Sequence, residues 1–286
     1  MAETRPTATV KPVTSVQARK SSNAISLIAP VVCLLLGYLI WRFVLGNPEN
    51  FTEGKENGGF WPERHGPITG LSRMYLGGII VPILIGTFLT MMTFVIERFM
   101  TVSKASGTGN NADFIRKVQY HLANKNVDAA LAECDKQKGS VGNVMKAGLH
   151  RYKDMINNNE LNTEQKVMAI QKEVEEATSL ELPMLEKNLV FLSTIATIAT
   201  LLGLLGTVIG MIRAFATLGS DSGGASSAAA LSVGISEALY NTALGIGTSA
   251  VAIVFYNIFT TKIDGITYGI DESGFTLTQT FASLYK

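Results

Sequence analysis

Four stretches of about 20 predominantly apolar residues, at 25–45, 75–96, 189–216 and 231–259, restrict what this chain can fold into. In hydrocarbon every backbone N–H and C=O must be bonded internally, and a single segment of that length achieves this only as a helix. Inside the last stretch sits one carboxylate, Glu237. An ionisable group at membrane depth costs roughly 2.5–3.5 kcal/mol on insertion scales, so it persists where it faces a partner helix, water or a moving ion. Glu237 is therefore the leading functional candidate.

Composition supports a chain with lipid as its main solvent. Of 286 residues 47% are hydrophobic and 16% charged, with a mean hydropathy of +0.25, against about 25% charged in soluble domains. A net charge of +1 offers no basic field for nucleic acid. The first stretch follows 24 polar residues and leads into Trp41 and Arg42 rather than a small-residue cleavage site, which predicts a retained anchor. Cys33 and Cys134 lie far apart in unlike surroundings and predict buried thiols rather than a disulfide.

Basic residues near the spans set orientation. Arg5, Lys11, Arg19 and Lys20 against Glu3 place the N-terminal tail, 1–24, in the cytoplasm. Four crossings then put 46–74 in the periplasm, 97–188 in the cytoplasm as a helical domain, 217–230 in the periplasm and the tail 260–286 in the cytoplasm. Arg213 falls near the outer end of the third span, where it must snorkel or pair. The inner segment reads as helices over 111–138, with a second start at Asn126, and over 141–156. A capping-box pattern at Asn162 and Gln165 opens a further helix expected to run through Lys187 into the third span, kinked by Pro183. The class is an all-α membrane protein: four transmembrane helices with long cytoplasmic helical extensions.

Enzyme chemistry finds no support in the residues. GLLGTVIG lacks the Gly-Lys-Ser/Thr ending of a phosphate loop. His65, His121 and His150 fall in separate segments without acids or cysteines at ligand spacing, so no metal site is expected. No serine or cysteine has a base at nucleophile spacing.

The third span instead shows a stripe. Ser193, Ala196, Thr200, Gly203, Thr207, Gly210 and Ala214 recur at alternating intervals of three and four, one face of a helix. Such a face suits close helix packing, which Gly206 and Gly210 support, or a hydroxylated wall beside water. In the fourth span Gly234, Glu237, Ala238, Asn241, Thr242, Gly245, Thr248, Ser249 and Ala252 form a matching face. Helical rise brings Glu237 and Thr207 to similar depths, so Glu237, Thr207 and Thr242 are expected to form a buried polar cluster. Ser193, Thr200, Asn241 and Thr248 are expected to line a pore, and Gly203, Gly206, Gly210, Gly234 and Gly245 to carry helix packing, including that of an oligomer.

At these residues the chain resembles a known family. LLGLLGTVIGMIRAF (201–215), GISEALYNTALGI (234–246) and Tyr256-Asn257 resemble the MotA/TolQ/ExbB proton-channel family, in its ExbB/TolQ branch. Weaker similarity runs through 128–134, 144–149 and Glu97-Arg98. The resemblance implies an ExbB-like fold and an inner-membrane homo-oligomer, a pentamer, around a pore that holds an ExbD-like single-span partner. Protons would be the coupling ion, no other cofactor is implied, and the motor would energise a TonB-like protein. By position Glu237 matches the family's membrane glutamate, and Thr207 and Thr242 its two threonines near the proton path. The chain departs from the pattern at Thr200 and Val251, where proline is common, at Arg213, where a neutral polar residue is usual, and in 1–74, which adds a span. A TolQ-like envelope-maintenance subunit is an alternative. So is a flagellar or gliding-type stator, but in that branch the titrating carboxylate belongs to the partner.

The topology yields a direct test. A cysteine replacing Gly58 should react with an impermeant thiol reagent in intact spheroplasts, whereas one replacing Asn158 should not. The opposite pattern would invert the orientation.

Overall fold

A computed structural model describes residues 24–53, 65–220 and 225–285. They are almost wholly helical: α1 (Ala24–Ile40), a π turn (Trp41–Leu45), α2 (Gly70–Leu76), α3 (Ile80–Ala105), α4 (Asn111–Ala123), α5 (Val127–Gln137), α6 (Ser140–Ile156), α7 (Thr163–Glu186), α8 (Leu189–Ser220) and α9 (Ala225–Leu284). The exception of note is an antiparallel ribbon, β1 (Phe51–Glu53) against β2 (His65–Pro67). Four helical stretches are long and apolar enough to cross a membrane, Leu27–Leu45, Ile80–Ala105, Thr163–Ala216 and Leu231–Leu284. Apart from that ribbon the described residues form an all-α fold built around these apolar helices.

The chain divides into two compact units, each with its own packing. One comprises Asn23–Ser103 and Glu186–Asp264 and contains the apolar helices. Within it α1 lies on α3 through paired glycines. A Cβ on Gly37 would stand 2.6 Å from the backbone N of Gly86, and one on Gly86 would stand 2.8 Å from the Cα of Leu34. Such approach lets dispersion contacts hold two helices where lipid removes the hydrophobic drive. The far side of α1, with Leu27, Val31, Leu35 and Leu39, stays exposed, as a lipid-facing surface should. At its end the helix widens into the π turn, and Trp41 is buried against Tyr75. The two rings stack at 4.3 Å, and Trp41 Nε1 donates to the Tyr75 carbonyl at 3.1 Å. Phe51 meets Tyr75 edge-on, so the segment after α1 is closed onto α2.

The expected span 75–96 does not start as one helix. Thr69 and Ser72 form a capping box that opens the short α2, and the chain turns at Gly77 and Gly78, the latter at φ +77°. Helix α3 begins at Ile80, with Pro82 in its first turn, where a missing N–H costs no intrahelical bond. The expected rod from Asn162 into the third span is also interrupted. Pro183 lies inside α7, and the break comes at Lys187 and Asn188. Asn188 has φ +69°, a left-handed conformation that asparagine tolerates better than most residues. Its side chain donates to Glu97 Oε2 at 3.2 Å, and Glu97 also holds the buried Arg98 through two charge-assisted bonds of 2.6 and 2.7 Å.

The second unit comprises, among its described residues, Lys104–Leu185 and 265–285. Asn110 caps Ala112 and Asn126 caps Ala129, starting α4 and α5 where asparagine supplies an acceptor to orphan N–H groups. Asn162 and Gln165 bond each other's backbone N–H groups reciprocally at 2.8 and 3.1 Å, which opens α7. The core includes Phe114, Val118, Leu122, Val144, Leu149, Tyr152 and Ile170. Burial pushes the Cys134 thiol up to about 12, leaving an unreactive apolar group. The expected boundary at 259/260 falls inside α9, which continues unbroken to Leu284. In its later part Ile266, Ile270, Ser273, Leu277 and Phe281 are buried at intervals of three and four, the pattern of a helix face in a core. Phe281 meets Tyr152 edge-on at 4.8 Å.

Phe281→Ala should cost roughly 3–5 kcal/mol, the usual scale for a fully buried phenylalanine. Hydrogen exchange should then accelerate across 265–284 while 189–216 keeps its protection. Unchanged exchange in 265–284 would show that this face is not a core element.

Candidate functional site

The site is built on a seam between α8 and α9 where side chains are missing. A Cβ on Gly245 would stand 2.5 Å from the Ala199 carbonyl oxygen and 2.7 Å from the Gly203 Cα. Further along, Gly206 faces the Cβ of Asn241, Gly210 that of Ala238, and Gly234 that of Ala214, with added Cβ atoms at 2.5, 2.7 and 2.7 Å. These pairs run in antiparallel register. The small faces expected to build an oligomer are thus used inside one chain, because backbone-to-backbone approach on α8 and α9 requires both helices to lack side chains there.

Thr207 and Thr242 meet across one edge of this seam, hydroxyl to hydroxyl. Both hydroxyl oxygens also lie within donating distance of the Gly203 carbonyl, at 3.3 and 3.1 Å, so one hydroxyl donates there while the other donates to its neighbour. Two hydroxyls and a carbonyl thus form a polar step at membrane depth, satisfied without charge. Glu237 does not join it. Five residues separate Glu237 from Thr242, about 140° around a helix, so the carboxylate lies on the other edge. There it shares a face with Asn241, one turn along, and is half-buried.

Asn241 is 2% exposed and wedged between α8 and the turn that precedes α3. Its Nδ2 donates to the Gly77 carbonyl at 3.2 Å. Its Oδ1 is buried and has no partner among the described residues. A buried acceptor of this kind costs about 1–3 kcal/mol when unbonded and is the sort of atom that ordered water satisfies.

The four residues expected to line a pore do not share a surface. Asn241 and Thr248 are buried inside the chain, Asn241 because its amide pins the Gly77 turn and Thr248 with its hydroxyl given to the Leu244 carbonyl at 2.8 Å. Ser193 and Thr200 are partly exposed on α8 and bond their own helix, to Val190 and Ala196. What residue patterns did not reveal is the Gly77–Gly78 turn. Asn241 bonds it, and the Arg213 guanidinium lies against it, 2.6 Å from where a Gly78 Cβ would stand. The adjacent glycines were the available signal.

Residues 136–272 match the model of the MotA/TolQ/ExbB proton channel family, a stretch that holds the α8–α9 seam, both threonines and Glu237. The chain is similar to this family over that stretch. It is similar to a putative biopolymer transport protein ExbB-like 3 of Synechocystis sp., at 40% identity over 86 residues, 30% of this chain and 41% of the relative.

The seam predicts a sharp contrast between neighbours. Gly245→Leu should lower the thermal unfolding midpoint in detergent by an amount equivalent to at least about 1–3 kcal/mol, since the added atoms meet backbone. Gly247→Leu, two residues on, should be nearly neutral, because nothing lies within 4 Å of a Cβ there. Equal midpoints for the two variants would contradict the packing described.

Proposed function

We propose that the protein is an ExbB-like subunit of a proton-driven motor in the bacterial inner membrane, with its N-terminus in the cytoplasm. The observation that carries this reading is Glu237: a half-buried carboxylate in an apolar helix, inside the stretch that matches a proton channel family. A group that costs so much at that depth needs a task that requires charge. Accepting and releasing a proton is such a task.

In this reading the subunit forms a homo-oligomer, a pentamer, whose pore holds an ExbD-like single-span protein. Glu237 accepts the proton, and the Thr207–Thr242 step with Ser193 and Thr200 supplies hydroxyls to the wall. Protons moving down their gradient drive the partner, which energises a TonB-like protein for transport across the outer membrane. The energy scale is adequate. One charge crossing 100 mV releases about 2.3 kcal/mol, so a few protons per step can drive a conformational cycle. Gln keeps the shape of Glu237 and can still hydrogen-bond, but it does not titrate.

Glu237→Gln should therefore assemble as the native protein does and abolish uptake driven by the proton gradient. Thr207→Val and Thr242→Val should each reduce uptake less severely, because water can replace a wall hydroxyl in part. Near-normal uptake with the Gln variant would sink the carrier role and leave Glu237 as a packing residue.

A further inference from the structure

Arg213 is held in a seat that its own helix does not provide. Its guanidinium lies against the backbone of the turn between α2 and α3, where a Cβ on Gly78 would stand 2.6 Å from Nη1. Gly78 also has φ +77°, a conformation that side chains disfavour, so glycine is selected there twice. Helical phase fixes which edge of the seam this seat serves. Arg213 follows Gly206 by seven residues and shares its face of α8, while Glu237 precedes Asn241 by four and shares its face of α9. Gly206 and Asn241 are in contact, and Asn241 bonds Gly77. The pairing of Gly210 with Ala238 and of Ala214 with Gly234 sets Arg213 and Glu237 within about one helical turn of the same level.

We infer that Arg213 is a fixed cation guarding the approach to Glu237, with the Gly77–Gly78 turn as its seat. The inference rests on the carrier reading above and adds a barrier to it. A guanidinium does not lose its proton in proteins, so the charge is permanent. Arg213 is exposed on α8, and a permanent cation beside the way to a carboxylate repels an incoming proton, as arginine does in channels that exclude protons and other cations. Leaving the seat would lift the barrier, and a subunit without its partner would stay closed to protons.

The test uses the purified full chain in liposomes, with a potassium gradient clamped by valinomycin and an entrapped pH dye. The native chain should be tight. Arg213→Gln should raise proton entry roughly tenfold, the scale of one charge acting at about 10 Å near a protein surface. Arg213→Lys, which keeps the charge, should remain close to native. Gly78→Ala, which keeps every charge but fills the seat, should leak. The double variant Arg213→Gln with Glu237→Gln should be tight again. No rise in Arg213→Gln, or an equal rise in Arg213→Lys, overturns the barrier while the carrier reading stands on the uptake test. A leak that persists in the double variant overturns both.

Discussion

The approach of two backbones at Gly203 and Gly245 is the contact on which the rest of the membrane unit depends. In lipid no hydrophobic drive pulls helices together, so cohesion comes from dispersion and from polar groups that find partners between helices. Removing side chains along α8 and α9 supplies the first. It also brings Thr207 and Thr242 within bonding range of one carbonyl, which supplies the second. The same approach leaves two edges of different character, a neutral step of hydroxyls on one side and the charged or amide groups Glu237, Asn241 and Arg213 on the other.

The charged edge is buttressed by the part of the chain that lies outside the family match. Trp41 stacks on Tyr75 and bonds its carbonyl, two residues before Gly77, and Leu244 of α9 packs on the same aromatic cluster. The N-terminal helix thus has a structural purpose within the unit. It closes over the outside of α3 through Gly37 and Gly86 and fixes the turn that receives Asn241 and Arg213. A membrane helix with one packed face and one lipid face can do this at little cost in burial of polar groups.

How much of this was legible in the residues depended on whether the cause was local. The spacing of Gly203, Thr207 and Gly210 announced a packing face, and Asn126 and the Asn162–Gln165 pair announced helix starts, because periodicity and capping are properties of neighbouring residues. Depth counting set Glu237 level with Thr207 and expected both to cluster with Thr242; of these three, Thr207 and Thr242 meet. It could not assign Glu237 to the opposite edge, since similar depth says nothing of angle around the helix. The start of α3 was missed because apolar Tyr75–Leu76 and Ile79 read as span, while the decisive constraint was the Gly77–Gly78 turn and its distant partners. Asn241 looked like a wall residue for the same reason: its partner, the Gly77 carbonyl, lies 164 residues away.

The central claim is that Glu237 itself gains and loses a proton as the motor works. Infrared difference spectroscopy on the reconstituted complex, with and without an imposed proton gradient, reads this directly through the carbonyl stretch of a protonated carboxylic acid. The account predicts a gradient-dependent band that carboxyl isotope labelling of glutamate shifts and that is missing in Glu237→Gln. A native spectrum without such a band, or one that persists unchanged in the variant, would contradict it.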